Sequence, residues 1–309
     1  MFASRDFYLG EGHGCVGEVI LCELPFPNYL KSCNTFLLDR HWLKEPAPTP
    51  AKHKYDAGVL YIVAGSEGLT GAAMMTAQSA WAAGVGAVIL ICPRAILPVF
   101  ENNLPQIIKK PVGSKDDSFF REEHLEDVLE IVREKEGDAV LGPGIGRNDT
   151  TQQFVTKFCQ QYQGNLLIDA DALWCLAQQE KWKKPESASW ILTPHPGELA
   201  RLVPLKINTG NDRLEAVRQL SSQKNTTIVS KGFPTIIATP DKYCFLTGYD
   251  TRIFARAGFG DVLSGKIGAY LALGNSLAKS AALGLLNGYE KIQSKQQIIR
   301  RLPEPNDLI

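Results

Sequence analysis

No sign of charge dominates this sequence. Lysine plus arginine number 33 and aspartate plus glutamate number 33, so the formal net charge is zero. That balance leaves no electrostatic footprint for nucleic acid or for an anionic membrane surface. Cys-x-x-Cys pairs are absent. Seven cysteines are scattered through 309 residues, which implies free thiols in a reducing compartment and no structural zinc site. The first residues, Met1-Phe-Ala-Ser-Arg-Asp-Phe7, lack the apolar core of a signal peptide. The longest apolar run, Val85 to Cys92, is far too short to span a bilayer. No internal repeat and no low-complexity tract is evident. A soluble cytoplasmic protein is the expectation. What is present is ordinary globular material, 44% hydrophobic and 21% charged, enough for one large domain or two small ones.

Residues 1–50 read as an irregular appendage. One strand-like run, Gly17 to Leu24, is broken by Pro25 and Pro27, and Pro46, Pro48 and Pro50 make a stiff linker. From residue 51 onward, strands alternate with helices. Val59–Ala64 and Val85–Cys92 are apolar runs of buried-strand type flanking an Ala-rich helix, Ala72–Ala83. That unit predicts parallel strands with a right-handed crossover. Residues 93–137 hold a loop and a charged amphipathic helix, Glu122–Glu136. Further strands are predicted at Ala139–Leu141, Leu166–Ile168, Trp190–Leu192 and Thr227–Ser230, and a hairpin joins Thr235–Thr239 to Tyr243–Leu246. The last helix is Leu277–Lys291. The glycines at 65, 68 and 71 do not match Gly-x-Gly-x-x-Gly, so an ordinary dinucleotide fold finds little support.

Unusual residues collect where the predicted strands end. In an open parallel sheet the ligand crevice lies outside those carboxyl ends. Gly65–Gly71, Gly142–Gly146, Asp169–Asp171, Thr193–Glu198, Lys231–Gly232 and Gly258–Asp261 would therefore converge on one rim. The last of these opens a helix on which Leu263, Ile267, Tyr270 and Leu271 form an apolar face, with Gly274 as its stop. Gly258, Phe259 and Gly260 would turn tightly and point amide N–H groups at one spot, an anion site at a positive helix end. Asp261 beside it would accept a proton from a hydroxyl engaged in phosphoryl transfer. The plain alternative is a Gly-rich turn with Asp261 as N-cap.

Gly258-Phe-Gly-Asp261 resembles the anion-hole motif of ribokinase-like enzymes. The wider set includes Gly65-Ser66 with Gly71-Ala-Ala73, Gly142-Pro-Gly-Ile-Gly146 and Asp169-Ala-Asp-Ala-Leu173. It continues with Leu192-Thr-Pro-His-Pro-Gly-Glu198, Lys231-Gly232 and Gly260-Asp-Val-Leu-Ser-Gly265. In this order it resembles the ADP/ATP-dependent NAD(P)H-hydrate dehydratase family over about residues 50–305. Tyr8-Leu-Gly10, Gly17-Glu-Val-Ile20 and Leu24-Pro-Phe-Pro27 are similar to the tail of the NAD(P)H-hydrate epimerase domain that many members carry ahead of the dehydratase. With only that tail, epimerase activity is not expected.

The resemblance implies an α/β fold of ribokinase-like type: three α/β/α layers around a mostly parallel central sheet with helices on both faces. It implies dehydration of the S epimer of NAD(P)H hydrate, with ADP or ATP as co-substrate and Mg2+. Asp261 would be the catalytic base, and Ala72, Gly144, His195 and Asp261 would contact the hydrate. Lys231, Gly232, Phe233, Pro234, Thr235, Gly258, Phe259 and Gly260 would contact the nucleotide. Glu198 would organise the water shell of Mg2+. Each has a plainer alternative: a surface lysine at 231, a loop histidine at 195, a first-turn carboxylate at 198, and packing positions at 72 and 144. Asp169 and Asp171 would bias Mg2+ or ribose, or act as structural caps. Lys52-His53-Lys54 reads as a solvated face. Departures are Phe259, where the family commonly has Thr, and Trp174, where Asn is common. No nucleic acid or membrane partner is implied, whereas a homo-oligomer, a tetramer, is. The competing readings are a small-alcohol kinase and a nucleotide-binding homologue without turnover.

Overall fold

The computed structural model describes residues 8–9, 33–38, 54–179, 181–296 and 302–309. The run at 17–24, the prolines at 46–50 and the basic pair at 52 and 53 lie outside them. Ten strands form one sheet in the order β1-β10-β9-β8-β7-β6-β5-β2-β3-β4. They are β1 (Thr35–Leu38), β2 (Val59–Val63), β3 (Ala87–Pro93), β4 (Ile108–Val112), β5 (Asp138–Leu141), β6 (Asn165–Ile168), β7 (Ser189–Leu192), β8 (Thr227–Ser230), β9 (Ile236–Ala238) and β10 (Cys244–Thr247). Every pairing is parallel except those of β9, which runs against both β8 and β10. The predicted hairpin is thus β9–β10, with Lys242 in the left-handed region at its turn.

Two strands escape the sequence reading. β4 carries Lys109, Lys110 and Pro111 and sits at a sheet edge, where a proline costs no central ladder bond and lysines discourage further pairing. Its apolar pattern is too weak to announce a strand. β1 lies in the stretch read as an appendage. It forms the other edge, pairing Thr35 with Cys244 in parallel register, so residues 35–38 belong to the sheet.

The sheet is buried on both faces, which is why its strands read as continuous apolar runs rather than alternating ones. In β2, Val59, Tyr61 and Val63 join one core cluster, and Leu60 and Ile62 join the other. The first cluster packs against α3 (Leu125–Arg133), α4 (Asp149–Gln161), α5 (Ala170–Ala177), α6 (Pro196–Leu202) and α7 (Gly210–Lys224). The second packs against α1 (Thr70–Ala82), α2 (Leu97–Asn103), α8 (Phe259–Ala272) and α9 (Leu277–Gln296). The result is the three-layer α/β/α arrangement that the sequence predicts. The predicted helix Glu122–Glu136 is shorter, a 3-10 turn at Glu122–His124 followed by α3.

Close approach of α8 sets the layer spacing. A Cβ on Gly265 would lie 2.1 Å from Ser79 Oγ and 2.2 Å from the Thr76 carbonyl of α1. One on Gly268 would lie 2.6 Å from Val140 of β5. Only glycine at these two positions lets α8 touch both its neighbouring helix and the sheet.

Candidate active site

Because the strands run parallel, the loops after β2, β5, β6, β7 and β8 open on one rim, as predicted. Main-chain bonds stitch successive loops together there. Gly65 N donates to Pro143 O at 3.0 Å, Gly142 N to Val63 O at 3.1 Å and Asp169 N to Leu141 O at 3.0 Å. Thr193 N donates to Ile168 O at 3.2 Å and Lys231 N to Pro194 O at 2.8 Å. The rim is therefore fixed before any side chain is considered.

At its centre is the start of α8. Gly258, at φ +95°, is the N-cap, and the helix begins at Phe259. Asp261 thus sits in the first turn, and the N-cap alternative is corrected: a left-handed cap suits glycine and leaves the carboxylate free of capping duty. The first helical bond to close is Val262 N to Gly258 O at 3.0 Å; ahead of it Phe259 N donates to Arg256 O at 3.4 Å, and the amides of Gly260 and Asp261 have no intrahelical acceptor. Phe259 turns its ring away from the mouth. It is 4% exposed, meets Phe254 edge-on at 5.3 Å, and packs with Val262, Ile292 and Leu308. The bulky departure at 259 is therefore compatible with a main-chain role.

This helix mouth faces a cavity of about 510 Å3, lined among others by Asp169, His195, Glu198, Lys231, Gly232, Phe233, Thr235, Gly258, Phe259, Gly260 and Asp261. Of the expected nucleotide residues only Pro234 is not on the lining; its carbonyl accepts a bond from Arg213 Nη2 behind the loop. Ala72 and Gly144 lie elsewhere. A Cβ on Gly144 would sit 3.1 Å from Ala72 Cβ and 2.4 Å from the Leu69 carbonyl, so the two pack against each other outside this cavity.

Lys231 is not a solvated surface lysine. Its side chain is 20% exposed and its ammonium bonds Asp169 Oδ1 at 2.7 Å. Asp169 Oδ2 accepts from Ser264 Oγ of α8 at 2.6 Å. One fully buried carboxylate thereby joins the ends of β6 and β8 to the second turn of α8. Burial works against charge on Asp169, but the Lys231 ammonium and the hydroxyls of Ser264 and Thr193 hold its carboxyl below the usual range. Burial likewise opposes the Lys231 ammonium, and Asp169, Glu198 and Asp261 more than offset it, so its pKa stands above the ordinary lysine value. Asp169 occupies the N-cap position of α5 but makes no side-chain cap bond, its two oxygens being engaged by Lys231 and Ser264. Asp171 is also spoken for, accepting from Gly146 N at 3.1 Å and from the Arg147 guanidinium.

Asp261 differs. Burial, then the negative charge of Asp169, push its pKa up to about 7, against the pull of Lys231. A carboxylate tuned to neutrality beside open amides is suited to take up a proton as phosphate charge develops.

His195 and Glu198 share a reciprocal cap at the start of α6. His195 Nδ1 accepts from Gly197 N at 2.9 Å and Glu198 N at 3.3 Å, while Glu198 Oε2 accepts from His195 N at 2.8 Å. The His195 side chain is 52% exposed toward the cavity, with Nε2 3.5 Å from Glu198 Oε1. Burial, then Lys231, keep its pKa below the ordinary histidine value, so the ring is neutral at pH 7. Glu198 is 5% exposed, and burial raises its pKa.

The sequence reading assigned no role to the segment Thr251–Ala257, whose Thr251, Arg252 and Arg256 line the cavity. It also passed over Lys266, 1% exposed on α8, which lines the cavity and donates to Asn287 Oδ1 at 2.7 Å. A lysine inside an otherwise apolar helix was the available signal. A second group of ligand-type atoms, from Asp117, Glu123 and His124, lies outside this cavity. Asp117 Oδ2 already accepts from Ser114 N and Oγ, and a Cβ on Gly113 would fall 2.4 Å from His124 Nε2.

A three-layer α/β/α fold with a glycine-capped helix mouth and an acid in its first turn is a ribokinase-like fold. The fold is similar to that of an ADP/ATP-dependent NAD(P)H-hydrate dehydratase from Bacillus subtilis co-crystallised with ATP/Mg2+, at TM-score 0.72 and 22% identity, covering 90% of this chain and 96% of that one. A ribokinase-like superfamily protein from Enterococcus faecalis matches at TM-score 0.70 and 21% identity, over 89% and 93% of the two chains. By sequence, a family model described as NAD(P)H-hydrate dehydratase matches residues 60–294, and the chain belongs to that family. The bifunctional NAD(P)H-hydrate repair enzyme Nnr of Dictyoglomus turgidum is 32% identical over 286 residues, covering 90% of this chain and 55% of the relative. That of Gloeobacter violaceus is 35% identical over 228 residues, covering 74% and 43%. The chain thus spans about half the length of the curated relatives it matches.

Proposed function

We propose that this chain dehydrates the S epimer of NAD(P)H hydrate, using ADP or ATP to make the hydroxyl a leaving group. The observation that carries this reading is Asp261, a near-neutral carboxylate in the first turn of a helix whose open amides face a cavity holding Lys231 and Glu198. Hydroxide leaves poorly and phosphate leaves well. The hydrate O–H loses its proton to Asp261 as its oxygen bonds the terminal phosphorus, and the bridging P–O bond of the nucleotide breaks. The C–O bond then breaks with its electrons going to phosphate, the ring nitrogen lone pair assists, and a neighbouring ring carbon gives up a proton to restore the double bond.

The amides of Gly260 and Asp261, with that of Phe259 once it leaves Arg256 O, and the Lys231 ammonium stabilise the transferring phosphoryl group. Gly232, Phe233, Pro234 and Thr235 support the nucleotide from the β8 side. His195, on the cavity lining, contacts the hydrate in this reading, and Ala72 and Gly144, outside that lining, extend its site. Asp171 adds to the raised pKa of Asp261, so the Gly144–Asp171 side lies within electrostatic reach of that carboxylate. A Mg2+ ion would neutralise phosphate charge. Glu198 fits a role through water, since one of its oxygens is held by His195 N and the residue lines the cavity. Residues 51–309 form the body of the dehydratase domain in this reading, β1 at 35–38 completes its sheet, and the working form is a cytoplasmic homo-oligomer, a tetramer.

The test is to mix the protein with Mg2+, ADP or ATP, and NADH hydrate and follow dihydronicotinamide absorbance. Recovery of absorbance is expected. A phosphorylated alcohol without recovery would make the protein a small-molecule kinase, and nucleotide binding without turnover would make it a non-catalytic homologue. Light scattering after size exclusion checks the assembly.

A further inference from the structure

The family match ends at residue 294, yet the segment 302–309 packs onto the start of α8. Arg256 Nη1 donates to Pro303 O at 3.0 Å. Pro305 Cγ would lie 2.9 Å from a Cβ on Gly258, whose other flank is Met75 of α1. A short 3-10 helix, Pro305–Leu308, then carries Leu308 into the cluster of Phe259, Val262 and Ile292. Leu308 is 3% exposed and seats over Gly288 of α9, where a Cβ would stand 3.9 Å from Leu308 Cδ1. Lys291 fastens the end of the turn, donating to Leu308 O at 3.1 Å. Leu308 is also part of the wall of the cavity that holds Lys231 and Asp261.

Two consequences follow from these contacts. The glycine whose left-handed conformation starts the amide cradle is held between two side chains, one of them from this segment. The buried ring of Phe259, which fixes the cradle from behind, rests on another. Close packing of this kind transmits small displacements, because interiors have few voids to absorb them.

We propose that Pro305 and Leu308 are positioning residues for the nucleotide: they hold the main chain of Gly258–Asp261 in its phosphate-binding shape and close one wall of the nucleotide cavity. The inference rests on the nucleotide site proposed above. It assigns to a stretch outside the family match a part in nucleotide affinity, with no part in holding the hydrate.

The experiment titrates Mg2+–ADP and Mg2+–ATP into the full-length protein by calorimetry and measures KM for nucleotide and for hydrate separately. Leu308→Ala is expected to weaken nucleotide binding about tenfold, the scale of losing a few buried methylene contacts, and to leave the hydrate KM within about twofold. Leu308→Met, which keeps the volume, restores parental affinity. Pro305→Ala and Leu308→Val carry the same test at lower cost to folding. Unchanged nucleotide affinity in all variants overturns the inference, as does a parallel rise in both KM values or a Met variant as weak as the Ala variant. Asp261→Asn separates this inference from the reading beneath it. If that variant turns over normally, the proposed function fails; if it is dead while Leu308→Ala binds nucleotide like the parent, only the positioning role fails. A parent that binds neither nucleotide overturns both.

Discussion

Replacing Asp261 with asparagine separates stability from activity and gives opposite signs for the two. The carboxyl titrates at about 7 in the folded protein against a reference of 3.8, chiefly through burial and then the neighbouring charge of Asp169. A group whose folded pKa is raised stabilises fully below the unfolded value and loses that contribution as pH climbs to the folded value. At about 1.4 kcal/mol per pH unit, the gap between 3.8 and about 7 makes the ionised carboxylate cost up to about 4 kcal/mol at pH 8. At pH 5 the cost is less than half of that, since only the interval from 3.8 to 5 has been crossed. Partial solvent access lowers both costs without changing their order. Asparagine keeps the shape and removes the charge. Urea unfolding should therefore show Asp261→Asn more stable than the parent, with a gain less than half as large at pH 5 as at pH 8. The same variant should lose turnover, because it cannot take the hydroxyl proton. In the parent, kcat should rise through pH 7 as Asp261 ionises. A variant no more stable at pH 8 than at pH 5 would refute the electrostatic account of this residue, and one that retains turnover would refute its role as base.

Lys231→Ala leaves the buried Asp169 without its counter-ion and should cost about 2–4 kcal/mol in urea unfolding; adding Asp169→Asn should recover part of that loss, and additive losses would mean the pair is not coupled. Gly265→Ala drives a methyl into Ser79 Oγ and the Thr76 carbonyl and should destabilise by about 1–3 kcal/mol or more through overpacking, read as a lower melting temperature. Glu198→Gln keeps an acceptor for His195 N but removes one of the three carboxylates on the cavity lining; half-maximal activity should need about 10–100-fold more Mg2+, and an unchanged metal titration would remove Glu198 from the metal's surroundings.

The layering and the rim were legible because parallel strands buried on both faces leave uninterrupted apolar runs, and because the glycines and acids that end them stand out against that background. Gly258–Asp261 could be read down to the direction of Asp261's environment, though not to which residue caps the helix: that depends on the φ of Gly258. Lys231 was legible only by resemblance, since a lone lysine after a strand carries no signal of the carboxylate 62 positions earlier that pairs with it. Edge strands β1 and β4 were illegible for a general reason. An edge buries less, so its sequence is less constrained, and Lys109, Lys110 and Pro111 look like a loop. The segment Thr251–Ala257 shows no periodicity at all, and its place in the cavity wall comes from tertiary packing alone.

The bonds that lace neighbouring rim loops, from Gly65 to Pro143 and on to Lys231 with Pro194, run from peptide to peptide and so do not depend on which side chains the loops carry. Substitutions at the exposed positions of those loops can retune what the crevice admits while the backbone scaffold stays put. A framework of this sort lets new substrate preferences arise by single exchanges, and the tolerance ends where the side chain itself is the tie, at Asp169.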